Sequence, residues 1–169
     1  GADKNYAIHL DKTRRTGSGD NVTWVSGRTI YTKQEAGTNL WIMAELRGDQ
    51  NQGNDCCVPV CTVTDSAGNS WRSAANYKGN GGHGNAHNNY RWYFHIGDQE
   101  ASFYRISGSA TYAAAGAISF TLQTTSRTSG GNDNWRSMNP DNNDDSRAYQ
   151  HSNTLSFASV WQVFEFSAI

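Results

Sequence analysis

Proline is nearly absent from this chain, charge is sparse and no hydrophobic run is long. With only two prolines, the chain is not a proline-rich linker protein. Charged residues make up 17% and the formal net charge is −1. That balance excludes a basic footprint for nucleic acid and a polybasic patch for an anionic membrane. No run approaches the ~20 apolar residues that span a bilayer, so no transmembrane segment is expected. No signal peptide is visible, and the chain starts at Gly1 rather than Met. Two histories fit that start: a mature, processed secreted protein, or a glycine left from a tag.

Cysteine is scarce and clustered, as Cys56, Cys57 and Cys61. An odd count excludes complete internal pairing. In an extended Cys57–Cys61 segment the two ends share a face roughly 13 Å apart at strand rise, and a disulfide needs Cα atoms within about 7 Å. They bridge only if Pro59 marks a tight turn. Three readings stay open: buried reduced thiols, a disulfide, or a metal site that would lack a second distant Cys pair.

What the chain does have is neutral polarity and aromatic bulk. Mean hydropathy is −0.73, carried by Asn, Gly, Ser and Thr, which suit turns and exposed strand faces. Low hydropathy with low charge does not fit charge-driven disorder. Six Trp, eight Tyr and six Phe supply large buried areas and adhesive surface at low entropic cost. A length of 169 residues suits one domain, residues 1–169, with a real core.

The segments alternate with period two or form short apolar runs. Tyr6–Leu10 reads as a first strand with Tyr6, Ile8 and Leu10 on one face. Thr13–Asn21 reads as a loop, and Val22–Val25 and Thr29–Thr32 as short strands around Ser26-Gly27. Leu40–Leu46, LWIMAEL, fits either a fully buried strand or the end of a helix; Gly37 and Asn39 weigh against the helix. Gly48–Asp55 reads as a loop. Val58–Thr64 and Ser70–Ala75 read as a hairpin closed by Asp65–Asn69. Tyr90–Ile96, Ser102–Ile106, Ile118–Thr124, Thr154–Phe157 and Val160–Phe166 complete the strands, with Ser109–Ala117 a weak strand or a loop. About nine to ten short strands joined by Gly- and Asn-rich connections predict an all-β, two-sheet β-sandwich of jelly-roll type. The stretch TVTDSAGNSW, residues 62–71, resembles hairpins of exported bacterial and phage β-sandwiches.

Function is expected in the loops. Residues 78–89, KGNGGHGNAHNN, carry four glycines, four asparagines and no apolar side chain except Ala86. Such a stretch cannot be a core element, and a long loop in a compact chain is usually functional or disordered. Trp71 and Tyr77 stand before it, Tyr90, Trp92, Tyr93 and Phe94 after it. A sugar site needs an aromatic face for stacking beside short amides and carboxylates. Trp71, Tyr77, His83, His87, Asn89, Trp92, Asp133 and Trp135 form the expected ligand-binding set. Each Trp has core packing as its alternative, above all Trp92 and Trp161. Trp135 stands in the polar stretch Ser126–Gln150, where the segment DNWRSMNPDNN around it offers only Met138 as apolar company.

The same stretch offers Asp141, Asn143 and Asp145 at alternate positions, the hard oxygen ligands a calcium ion takes. An EF-hand would need Gly at Ser146 and a bidentate Glu at Ser152, so only a looser calcium loop fits; the alternative is a solvated turn. His83, His87 and His95 could bind a transition metal, but the glycines oppose a helix and the zincin Glu is absent. There is no GxSxG elbow and no phosphate-cradling loop. Glu35, Glu45, Glu100 and Glu165 single out no glycosidase pair. The chain is therefore expected to be no enzyme, and to bind a glycan or glycoconjugate as a lectin-like module, with calcium as the one candidate cofactor. Three rivals stand beside that reading. One is a homo-oligomeric virion or other assembly structural protein. Another is a membrane-inserting toxin that uses a hairpin around Ser109–Thr125. The third is a metal-dependent enzyme. The expected location is extracellular or on a particle surface.

Overall fold

A computed structural model of the chain describes residues 5–17, 21–50, 58–73, 86–98, 104–125, 135–139 and 158–167. Among these residues there is no helix and there are eleven strands. In chain order they are β1 (Tyr6–Asp11), β2 (Arg15–Thr16), β3 (Asn21–Lys33), β4 (Asn39–Gln50), β5 (Val58–Thr64), β6 (Ser70–Arg72), β7 (Ala86–Ile96), β8 (Tyr104–Ser107), β9 (Gly116–Thr125), β10 (Trp135–Met138) and β11 (Ser159–Phe166). They make the expected all-β, two-sheet, jelly-roll-like sandwich; the expected count of nine to ten is met once two-residue β2 is set aside.

Sheet A is built on β4. Along one side β7 runs antiparallel for its whole length, from Leu40↔Ile96 to Gln50↔Ala86. The other side is shared: β11 pairs Asn39–Glu45 and β10 pairs Gly48–Gln50. β1 lies outside β11 and β2 outside β10, so the sheet has four strand columns. Sheet B has the order β3-β9-β5-β6-β8.

The inner faces carry the alternation that the sequence shows. Ile118, Phe120 and Leu122 of β9 meet Ile42, Ala44 and Leu46 of β4 and Trp92, Phe94 and Ile96 of β7 in one core. Phe120 stacks edge-on against Trp161 across the two sheets, centroids 5.4 Å apart. Trp71, Trp92 and Trp161 are fully buried. Burying a side chain of that size contributes about 2–3 kcal/mol each, which holds the sheets face to face.

Several boundaries differ from the sequence expectation. The two short strands around Ser26-Gly27 are one bent strand, β3. Its register against β9 shifts between Val25 and Arg28, where Gly27 takes φ 58°. That positive φ suits glycine and turns two apparent strands into a bulged one. Gly48–Gln50 is not loop but the end of β4, and Ala86–Asn89 is not loop but the start of β7. The two polar ends pair with each other, so ladder hydrogen bonds override their low strand propensity. Trp135–Met138 is strand β10 rather than loop, and Met138 is fully buried. Ser109–Ala115 is irregular, and β9 is a central strand of sheet B.

Candidate functional site

The expected loop site is only partly within the described residues. Tyr77, His83, Asp133, Asp141, Asn143 and Asp145 lie outside them, as do Cys56 and Cys57. His87 and Asn89 belong to β7, paired with Asp49 and Arg47. Trp135 belongs to β10, paired with Gln50. The backbones of His87, Asn89 and Trp135 thus converge on the far end of β4, from two different neighbouring strands. Trp71 and Trp92 do not offer a ring to a ligand, since both have zero exposure. Cys61 is a free, fully buried thiol, and burial pushes its pKa well up. No group of three His, Cys, Asp or Glu side chains among the described residues could hold a metal ion.

The outstanding surface lies elsewhere, on the outer face of sheet A. Directly paired residues of antiparallel strands point to the same side. The register therefore lines up one outer row Tyr6–Phe164–Trp41–His95 and a second Ile8–Gln162–Met43–Tyr93. A third row, Leu10–Val160–Glu45–Arg91, follows. Exposure is 53% for Tyr6, 60% for Ile8, 53% for Leu10, 41% for Phe164 and 36% for Trp41. Tyr6 and Phe164 stack at 6.2 Å, Trp41 and Tyr93 meet at 5.5 Å, and His95 and Phe166 at 5.6 Å. The rings make a nearly continuous aromatic platform, bordered by the aliphatic Ile8, Leu10 and Val160. Scattered apolar residues on a surface are ordinary; a contiguous patch of this kind is a candidate interaction surface.

Charge is divided between the two ends of this face. At the Leu10 end Glu45 accepts hydrogen bonds from Arg91 at 2.8 Å and from Arg47 at 3.2 Å, and Lys12 and Arg14 are exposed close by. At the Tyr6 end stand the exposed residues Glu35 and Asp98. Arg47, Arg91, Lys12 and Arg14 thus outnumber Glu45 at the Leu10 end, while Glu35 and Asp98 stand in the turns beyond the Tyr6 end.

Two buried carboxylates fix the strands that carry the platform. Asp11, closing β1, accepts from Arg15 Nη2 at 2.8 Å, the Thr13 N–H at 2.9 Å and Arg28 of β3. Burial alone would raise its pKa; the hydrogen bonds from Arg15 and Thr13 and the two guanidinium charges outweigh it and hold the carboxyl below its usual value. Glu165 of β11 accepts from Tyr31 Oη and Thr38 Oγ1 at 2.6 Å each, the Gln34 N–H at 2.9 Å and the Glu35 N–H at 3.0 Å. Its pKa is likewise lowered, burial being outweighed by those donors. The Tyr31 hydroxyl is pushed the other way, by burial and by Glu165. Each carboxylate ties sheet A to β3, the edge strand of sheet B, one at each end of the β1–β11 pair.

The sequence signal for the platform is the double apolarity of LWIMAEL and VWQVFEF. Both parities of these strands are apolar or aromatic, which reads as burial on both faces. One face is indeed buried. The other remains open on the isolated chain.

No family model matches the chain, and no curated protein matches it. Among solved structures it is similar to the infectious bursal disease virus VP2 subviral particle, with a TM-score of 0.44 and 13% identity. That match covers 97% of this chain and 33% of the other. It is also similar to the infectious bursal virus derived T=1 particle, with a TM-score of 0.42 and 14% identity over 95% of this chain and 32% of the other. The chain thus spans about a third of the length of these two structures.

Proposed function

We propose that this chain is a structural subunit of a larger protein assembly, such as a virion shell or another particle, and that it packs against its neighbour through the outer face of sheet A. The carrying observation is the open platform Tyr6–Phe164–Trp41, flanked by Ile8 and Leu10. Burying such a face removes apolar area from water at about 25 cal/mol per Å². The reading rests on this surface and not on the weak likeness to particle proteins. The glycan-binding reading loses two of its stacking rings, Trp71 and Trp92, to the core. The outer sheet face, broad, flat and part aliphatic, suits protein packing better than a sugar cleft.

The test pairs two measurements on the purified chain. Light scattering across a wide concentration range is expected to show discrete oligomers, and a glycan array run with and without EDTA is expected to stay blank. A chain that remains monomeric and binds a defined glycan overturns the proposal. Glycan binding abolished by EDTA would point instead to the Asp141–Asp145 stretch as a calcium site.

A further inference from the structure

We infer that the neighbour is a second copy of this chain, stacked on the outer face of sheet A about a twofold axis that lies in the interface and crosses the strands. The inference rests on the assembly reading and names its contact. Its basis is the division of charge along the platform. Two copies can stack with like ends together or with ends reversed. Like ends would put Arg47 and Arg91 over their own copies, and Glu35 and Asp98 over theirs. Reversal brings the arginine end of each copy towards the acidic turns of the other, and both contacts form at once because the axis is twofold.

The register offers a position for that axis. Ile42 pairs with Phe94, between the Trp41 row and the Met43 row. With the axis over that pair, Trp41 lies against the partner's Met43 and Tyr93 against the partner's His95. Arg47, five residues along β4, then lies over the partner's Gly37, two residues from Glu35. Arg91 reaches the end of the partner's β7, where Asp98 stands. One axis position thus satisfies the aromatic rows and both charge contacts. Two stacked sheets hold their strands within about 30° of each other and about 10 Å apart.

The area is of the right order. Four strands at about 4.8 Å spacing, over the nine residues from Asn39 to Arg47, give a planar footprint of roughly 500 Å². The relief of the side chains brings this towards the ~800 Å² per partner of a standard interface.

Sedimentation velocity on the whole chain provides the test, with four variants checked for native circular dichroism. Wild type is expected to dimerise reversibly, with a dissociation constant on the order of micromolar. Trp41→Ala is expected to weaken the dimer by roughly 30-fold, as loss of a central aromatic anchor does. The double reversals Arg47→Glu/Arg91→Glu and Glu35→Lys/Asp98→Lys should each weaken it several-fold. An equimolar mixture of the two reversals should recover the affinity, because each mixed pair restores both contacts. Gln123→Lys, on the outer face of sheet B, should change nothing. A mixture no tighter than either reversal alone overturns the inference. So does an oligomer unaffected by Trp41→Ala, although the assembly reading then survives with its contact elsewhere. A wild-type chain that stays monomeric at every concentration overturns both.

Discussion

Asp11 and Glu165 are buried acids whose charge is stabilised by the donors around them, and each can be tested singly. Glu165 gathers two hydroxyls and two backbone N–H groups. Glu165→Gln keeps the volume but turns an NH2 towards donors. It should cost about 2–3 kcal/mol, the scale of charge-assisted hydrogen bonds left unmade; a urea midpoint unchanged at pH 7 would refute this. The pH dependence has a defined sign. Asp11, Asp65 and Glu165 all have lowered folded pKa values, each because hydrogen bonds outweigh burial. The unfolded chain then binds more protons below about pH 4.3. The stability they contribute is complete above that value and is lost as pH falls through the folded values. His9 adds an earlier limb. Burial and then Arg28 lower its pKa, against Asp11, so the unfolded chain takes up its proton first, below about pH 6.5. Stability should begin to fall there, and His9→Gln should remove that first limb while leaving the second. Equal acid profiles for the two proteins would show that His9 titrates alike in both states.

At the level of elements, glycines separate two kinds of constraint. Gly97 follows β7 with φ 156°, and a Cβ there would overlap Asn39 Oδ1. That oxygen accepts the Asp98 N–H at 3.0 Å, so the asparagine cannot move away freely. Gly27 has φ 58° but open space around it. Gly97→Ala should therefore cost about 2 kcal/mol or more through overpacking, and Gly27→Ala only the left-handed backbone penalty of about 1–2 kcal/mol. Chemical denaturation of the two variants compares them directly, and equal costs would mean the Asn39 contact yields. The same elements show what a sequence can reveal. The alternation of Ile118, Phe120 and Leu122 and the Asp65–Asn69 turn were legible because pattern and turn chemistry are local. The Asp65 side chain indeed accepts from the Ala67 and Asn69 N–H groups at 2.9 Å each. The ends of β4 and β7 were not legible. Gly48, Asp49, His87 and Asn88 carry no strand signal and are extended only because each finds the other across the ladder. The platform was half legible: the apolarity of LWIMAEL was plain, but which parity stays open depends on β1 and β11 lying beside it.

Taken whole, the sandwich has two unlike outer faces. Outside sheet B the paired rows are Thr64–Ser119, Thr62–Thr121 and Val60–Gln123, a polar surface suited to water. Outside sheet A they are the aromatic and aliphatic rows. In the proposed assembly the adhesive face of sheet A is the one that packs, and sheet B turns outward. Tryptophan reports on this directly. Trp24, Trp71, Trp92 and Trp161 are buried, whereas Trp41 is 36% exposed on the platform. Acrylamide quenching of dilute protein should therefore contain an accessible component from Trp41, read as the difference between the wild type and Trp41→Phe, which leaves Trp135 in both. As concentration rises and the platforms close on one another, that component should fade in the wild type. Trp41 would then behave like the four core tryptophans, because an interface core excludes water as a protein interior does. Quenching that keeps its full accessible component at every concentration, in a sample that light scattering shows to be oligomeric, would place the subunit contact on another surface and leave the aromatic platform open for a different partner.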